Sequence, residues 1–376
     1  MNTSTSTPAL RGPLVGIRVV ELAGVGPGPF AGMLLADLGA EILLIEPPRA
    51  REARMPLPPE SDPLFRGRVR LTLDLKQPAE RERLLALLGS ADMLIEGFRP
   101  GVMERLGLGP QVVLARAPRL VYGRITGWGQ DGPLASTAGH DPNYIAITGA
   151  LHAIGYPDRP PLPPLNVVGD FAGGSLYLVM GLLAAYIHTR QSGRGQVVDA
   201  SIVDGTLSLL TMAYAMRGAG QWSDQRGQNL LDGSCPFGTC YETADGQYMA
   251  VCPLEPTFYA EFLRRLGLDA AGLPGQWERA RWPELRARFA ATFRTRSRAE
   301  WTTVFAGSDA CVAPVLSVAE APAFPQHVAR ASFDGDPPLP AAAPRFSATP
   351  TAAAPRPTST AEALLRRWLD PAGERR

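Results

Sequence analysis

His140 sits in Gly139-His140-Asp141-Pro142-Asn143-Tyr144, Asp170 in Asn166-Val167-Val168-Gly169-Asp170-Phe171, and Glu255 in Pro253-Leu254-Glu255-Pro256. An imidazole and a carboxylate facing each other across one carbon can take a proton from one face and return one to the other, which inverts that carbon. A further carboxylate can fix the imidazole's tautomer and raise its basicity, which suits a group that alternates between base and acid. The chain has only 4 histidines in 376 residues, so one flanked by Gly and Asp stands out. Taken alone, His140 and Asp170 equally describe a buried hydrogen-bonded pair. Glu255-Pro256 equally describes a helix start, where proline is accepted and a carboxylate favours the dipole.

Short β-branched runs alternate with longer helical stretches, the pattern of an α/β, doubly wound parallel sheet. The first unit is the clearest: strand over 16–22, a turn through Gly24, Gly26 and Gly28, helix near 30–38, strand over 42–45. Gly24-x-Gly26 opens a dinucleotide fingerprint, and Glu46 follows about 20 residues on, where a ribose contact is expected. Pro27 and Pro29 argue against that reading, because proline removes amide donors that a pyrophosphate needs. The glycines are read instead as letting the backbone approach a thioester or pantetheine. Further strands are expected at 70–75, 93–96 and 120–125, with helices at 79–88 and 101–106. Ligands collect beyond the carboxyl ends of strands in such sheets, so 126–144 falls where a site belongs.

Asp170 precedes Gly173-Gly174 and a helix expected from about 175, whose N-terminus favours an ionised carboxylate. The apolar stretch 176–187 is read as a buried helix, too short for the ~20 residues a bilayer requires. A helix over 202–222 carries Met212 and Met216, read either as core or as a deformable acyl-contact surface. The domain plan is a large domain over 1–200, a linker helix over 201–233, a smaller α+β domain over 234–318, a return linker over 319–358, and a C-terminal helix over 359–376 rejoining the large domain. The small domain carries a strand at 247–251, a helix after Glu255, and a helix capped by a Ser297-x-x-Glu300 box. The last helix is expected to be capped by Ser359 and Glu362.

A 45% hydrophobic content over 376 residues suffices for a large core. With 37 basic against 36 acidic residues, no bulk field holds nucleic acid or an anionic membrane. An anion site must be local, and Arg49, Arg51, Arg54, Arg66, Arg68 and Arg70 are dense enough either to hold phosphates or to form a solvated charged face. Cys235, Cys240, Cys252 and Cys311 have no C-x-x-C spacing or accompanying histidines, so they are read as reduced thiols and no metal site is expected. Residues 1–13 lack an apolar segment, which gives an expectation of a cytoplasmic protein.

The series of motifs is more specific than any one of them. Residues 14–22, Leu34-Leu35-Ala36-Asp37-Leu38-Gly39, Asp74-Leu75-Lys76, Glu96-Gly97-Phe98-Arg99-Pro100-Gly101 with Arg105-Leu106-Gly107, Thr126-Gly127-Trp128-Gly129-Gln130, the His140 and Asp170 runs and Gly195-Gln196-Val197-Val198-Asp199-Ala200 follow in order. This series resembles the class III CoA-transferase (CaiB/BaiF) family, and within it the α-methylacyl-CoA racemases, over nearly the whole chain. Histidine at position 140 favours the racemase branch; transferases use an aspartate matching Asp170 as nucleophile, without that histidine. They also carry a glycine run, for which residues 231–238 have no counterpart.

The resemblance implies a Rossmann-like large domain with a smaller α+β domain, and two chains threaded through one another as an interlocked homodimer. It implies that His140 and Asp170 exchange the α-proton of a 2-methylacyl-CoA. Glu255 orients His140 in trans, and the Asp141 amide with Asn166 stabilises the enolate. CoA contacts fall to Gly26, Arg66, Arg68, Arg99 and Arg105, and the acyl chain to Met212 and Met216. CoA is part of the substrate, and no separate cofactor is required. Two departures stand out: Leu43-Leu44-Ile45-Glu46-Pro47 lacks a basic residue, and Phe237-Gly238 replaces two aromatics, which leaves the acyl pocket's shape open. The alternatives are a CoA-transferase with Asp170 as nucleophile and a non-catalytic acyl-CoA-binding protein.

Overall fold

β1 (Arg18–Leu22) alternates its side chains between two hydrophobic layers, with Val20 and Leu22 on one face and Val19 on the other. That pattern, buried on both sides, is what a central parallel strand needs. The computed structural model describes residues 11–48, 62–357 and 359–370. In chain order the elements continue with α1 (Pro27–Asp37), β2 (Glu41–Glu46), β3 (Arg68–Thr72), α2 (Pro78–Leu88), β4 (Met93–Glu96), α3 (Val102–Arg105), α4 (Pro110–Arg116), β5 (Val121–Thr126), α5 (Asp141–Ala146) and α6 (Ala150–Ala153). A π-helical segment, Val167–Leu176, runs directly into α7 (Tyr177–Ser192), followed by β6 (Val197–Ser201), α8 (Ile202–Leu209) and α9 (Thr211–Gly218).

The six strands lie parallel in the order β3-β2-β1-β4-β5-β6. This is the Rossmann order, whose direction reverses between β1 and β4 and opens a crevice at their carboxyl ends. One face is covered by α2, α4 and a final helix, α14 below; the other by α1 and α7.

The chain divides into two compact units. The first comprises 1–150, 163–210 and 340–376; the second comprises 151–162 and 211–339. The second unit holds the antiparallel strands β7 (Thr239–Glu242), β8 (Tyr248–Val251) and β9 (Val312–Pro314), with α10 (Pro256–Leu266), α11 (Trp282–Phe293), α12 (Arg298–Phe305) and α13 (Pro325–Ala329). Its core is aromatic: Tyr241 stacks on Phe293 at 5.1 Å and Phe262 meets Phe289 edge-on at 5.1 Å. Phe237 is fully buried in it, edge-on to Tyr259, Trp277 and Trp282. The α12 capping box forms, with the Ser297 N–H donating to Glu300 Oε2 at 2.8 Å.

The return to the first unit ends in α14 (Ala361–Leu369), capped by Thr360, whose Oγ1 accepts the Ala363 N–H at 3.3 Å, rather than by Ser359. Trp368 is buried and donates its indole N–H to Glu41 at 2.7 Å, and its carbonyl accepts from Arg18 at 3.2 Å.

Two expectations need correction. The helix over 202–222 is two helices that part at Leu210, where the two units also divide. The apolar helix does not begin near 175: the helical run covers Val167–Ser192, 26 residues, long and apolar enough to cross a membrane by length and composition. Gly173 and Gly174 read as a helix start in sequence, but here they let the helix continue against α8. A Cβ on Gly205 would stand 1.9 Å from Gly173 O, so the two backbones touch. Leu178, Val179, Leu182 and Ala185 of this run are buried on the sheet.

Candidate active site

The site lies at the switch point, built from segments that follow the strands. After β1, Gly26 caps α1 with φ +68°, a conformation that favours glycine, followed by Pro27 with its preset φ. A Cβ at Gly26 would stand 3.2 Å from Asp170 Oδ2, so the glycine forms a floor under that carboxylate. After β4 comes exposed Arg99. After β5, Gly127 and Trp128 lead to the His140 segment.

His140 stands just before α5, exposed, its backbone N–H donating to Asn143 Oδ1 at 3.0 Å. Tyr144 packs edge-on against Trp128 with centroids 4.8 Å apart and donates its hydroxyl to Gly139 O. A Cβ on Gly127 would fall 2.0 Å from the Tyr144 ring and one on Gly139 2.7 Å from it, which explains both glycines. Burial raises the Tyr144 pKa, and the nearby charge of Asp170 adds to this, so the phenol stays a neutral donor.

Asp170 lies within the π-helical segment, where Phe171 N–H reaches back five residues to Asn166 O at 3.3 Å. Such wide turns recur at functional sites because they re-aim one side chain. Asp170's backbone N–H donates to the buried Asp141 Oδ2 at 2.7 Å, and Asn166 Nδ2 approaches Asp170 Oδ2 at 3.5 Å, the long end of a hydrogen bond. Phe171 stacks on Phe30 at 4.3 Å, tying the segment to α1. Asp170 is pushed up to about 6, by burial first and then by the negative charge of Asp141; the Asn166 hydrogen bond and the nearby His140 work the other way. A half-buried carboxylate poised near neutrality can both accept and deliver a proton. The Asp141 N–H occupies the first position of α5 and therefore has no intrahelical acceptor.

Of the residues expected from sequence, Gly26, His140, Asp141, Asn166 and Asp170 come together in the first unit. Glu255, Met212 and Met216 belong to the second. Glu255 is the residue before Pro256 at the start of α10, and its side chain makes no cap hydrogen bond. No residue of α9 is buried, and Met212 is 58% exposed, so the methionines are not core.

Arg66 and Arg68 do not fit the expected phosphate role. Arg68 is completely buried, paired with Glu21 at 3.0 Å and donating to Pro29 O at 2.5 Å, and both Arg66 Nε and Nη2 are taken by Asp37. These arginines build the fold: Gly32 makes room for the Glu21–Arg68 pair, since a Cβ there would lie 2.2 Å from Glu21 Oε2. Arg70 pairs with Glu46 at 2.8 Å. Arg49, Arg51 and Arg54 lie outside the described residues. Arg99 and Arg105 are exposed, and Arg99 is close enough to act electrostatically on Tyr144. Trp128 and Tyr144, which the sequence marks only as members of their motifs, form the aromatic pair beside His140, and the glycines at 127 and 139 are what make room for the Tyr144 ring.

Comparison with known proteins agrees with this architecture. The chain is 46% identical over 340 residues to α-methylacyl-CoA racemase of Mus musculus, covering 90% of this chain and 87% of that protein. It is 43% identical over 320 residues to the Homo sapiens protein of the same name, covering 85% and 82%. A crystal structure of a CAIB/BAIF family protein from Brucella suis superposes with a TM-score of 0.79 at 27% identity, covering 96% of this chain and 100% of that one. The profile of CoA-transferase family III matches residues 14–361, and the chain belongs to that family.

Proposed function

We propose that this protein is an α-methylacyl-CoA racemase: an isomerase that interconverts the two configurations of 2-methylacyl-CoA thioesters by 1,1-proton transfer, with His140 and Asp170 as the acid/base pair. The thioester carbonyl acidifies the α-proton. One residue of the pair removes it from one face, an enolate forms, and the other residue delivers a proton to the opposite face. Charge developing on the enolate oxygen is best met by preorganised donors, here the Asp141 backbone N–H with Asn166. Neither metal nor redox chemistry is needed, and CoA is part of the substrate.

The observation that carries the reading is the Asp170 carboxylate, raised to about 6 on a glycine floor beside His140. High identity to the two mammalian racemases supports the isomerase class. An interlocked homodimer in which Glu255 orients His140 in trans, acyl-chain contact at Met212 and Met216, CoA contact at Gly26, Arg99 and Arg105, and a cytoplasmic location complete the reading.

The test is NMR in deuterated water with a single enantiomer of a 2-methylacyl-CoA and no acceptor acid. α-Deuterium incorporation with formation of the other enantiomer is expected. Absence of exchange, with CoA transfer appearing once a carboxylate is supplied, would replace the racemase by a transferase that uses Asp170 as nucleophile.

The pH dependence follows from Asp170. The pair must hold one proton between its two members, and double protonation leaves no base for either face, so the rate from either enantiomer is expected to fall as pH drops through about 6. Initial rates from each enantiomer between pH 5 and 8 check this, and profiles lacking that acid limb would remove Asp170 from the role.

A further inference from the structure

The direction in which a side chain leaves the backbone is set by the two peptide planes that meet at its Cα, and both planes at His140 are held. The peptide between Gly139 and His140 is gripped at each end. Its carbonyl oxygen accepts the Tyr144 hydroxyl, and its N–H donates to Asn143 Oδ1 at 3.0 Å. In the next peptide, His140 O accepts the N–H groups of Asn143 at 2.8 Å and Tyr144 at 3.3 Å. Two adjacent residues of α5 therefore fix φ and ψ of His140, and with them the line of its Cα–Cβ bond.

The Tyr144 side chain carries this hold to the parallel sheet. Between Trp128 and Gly139 the chain runs through a loop in which residues 131–134 and 136–138 are exposed, and exposed backbone of this kind opens locally at little cost. The Tyr144 ring bypasses that loop. It stands edge-on to Trp128 at 4.8 Å, and it fills the space beside Gly127, the residue that follows β5, where a Cβ would fall 2.0 Å from the ring. Gly127 is tied down in turn, its carbonyl accepting the Val203 N–H of α8 at 3.2 Å. A second tie, from the Asp170 N–H to Asp141 Oδ2, fastens the start of α5 without touching the peptide before His140. Every residue in this chain of contacts belongs to the first unit.

Burial, and then the charge of Asp170, hold the phenol in its neutral form, the form that can donate to a carbonyl. A phenylalanine would fill the same seat and leave the Gly139 carbonyl without that donor, so ring and hydroxyl have separable roles.

We propose that Tyr144 is a positioning residue for His140: seated by its ring against the end of β5, it uses its hydroxyl to fix the peptide that aims the imidazole. The inference rests on the racemase reading only for the chemistry His140 then performs. The hold itself is testable without turnover.

The experiment uses the full-length protein carrying Tyr144→Phe. Amide hydrogen exchange, followed by NMR without substrate, reads the hold directly. The His140 N–H is expected to exchange about 10-fold faster than in the wild type, the effect of one lost hydrogen bond, with the amides of β4 and β5 unchanged. The chemical readout is α-deuterium incorporation with retention in single-base backgrounds. In Asp170→Asn, where His140 alone acts, adding Tyr144→Phe is expected to slow exchange about 10- to 100-fold, since misplacing a reacting group by about 1 Å costs on that order. In His140→Ala, where Asp170 alone acts, the same change is expected to alter the rate by about 2-fold or less, as for sites that do not couple. Asn143→Ala frees the N–H end of the same peptide; it is expected to slow exchange on the His140 face in the same way, and it serves if Tyr144→Phe does not fold. Unchanged exchange of the His140 amide in folded Tyr144→Phe overturns the proposal, as does equal slowing in both backgrounds, which marks a general loosening of the site. Absence of α-proton exchange from the wild type rejects the racemase reading, while the amide measurement still decides the hold of Tyr144.

Discussion

Asp170→Asn is expected to lower interconversion of the enantiomers about 1,000-fold, within the range for loss of one acid/base group, and to split the two substrates. Asparagine can neither take nor return the proton on its face. His140 still can on its own, so the enantiomer whose proton faces His140 keeps exchanging with solvent deuterium, with retention. The other enantiomer does not exchange. His140→Ala gives the mirror image. Chiral analysis combined with deuterium counting on both enantiomers measures this. Equal loss of exchange from both substrates in either variant would defeat the two-base assignment, and unimpaired acyl transfer in His140→Ala would support the transferase.

The second large effect is structural. Arg68→Met is expected to cost about 3–5 kcal/mol of stability, because it leaves Glu21 buried without its counter-charge. Both side chains are essentially inaccessible, and Arg68 also holds Pro29 O and Arg66 O, which fixes the start of α1 above the Gly26 floor. The pH dependence has a definite sign. Burial already raises the Glu21 pKa, Arg68 opposing it, and removal of Arg68 raises it further. The folded variant then holds a proton more tightly than the unfolded chain, so its stability falls as pH rises through that interval. The deficit relative to wild type is therefore greatest at high pH and shrinks toward the ordinary glutamate range of about 4.3. Urea unfolding of both proteins at pH 8 and pH 5 tests this, and a deficit of equal size at both would refute it. The double variant Glu21→Leu with Arg68→Met is expected to regain much of the loss.

The legible parts of the sequence were those governed by local chemistry. Strand β4, the turn through Gly26, the Ser297 capping box and the α10 start at Glu255-Pro256 all follow from period, φ preference or cap chemistry. His140 and Asp170 could be singled out because their neighbours are glycines and a proline. Long-range pairing was not legible. Nothing local distinguishes Arg68, buried on Glu21 across 47 positions, from a solvated arginine that could hold a phosphate. Gly173-Gly174 looked like a helix start, because the partner that accommodates them, Gly205 on α8, lies 31 positions beyond Gly174. The hold of Tyr144 on the Gly139 carbonyl was equally invisible, since main-chain carbonyl acceptors carry no sequence signature.

The closing of the first unit by α14 bears on how the chain folds as it is made. Arg18, at the head of β1, donates to the carbonyl of Trp368 across a separation of 350 positions, and Ala361, Leu364, Leu365 and Trp368 cover core that β1, β2 and α2 have already laid down. During vectorial synthesis that apolar face waits uncovered while the whole of the second unit emerges, an interval in which it is open to premature association. Residues 211–339 have no such wait. The order of acquisition therefore inverts the order of translation: the later segment can finish first, and the sheet that carries the chemistry completes only when its last helix arrives.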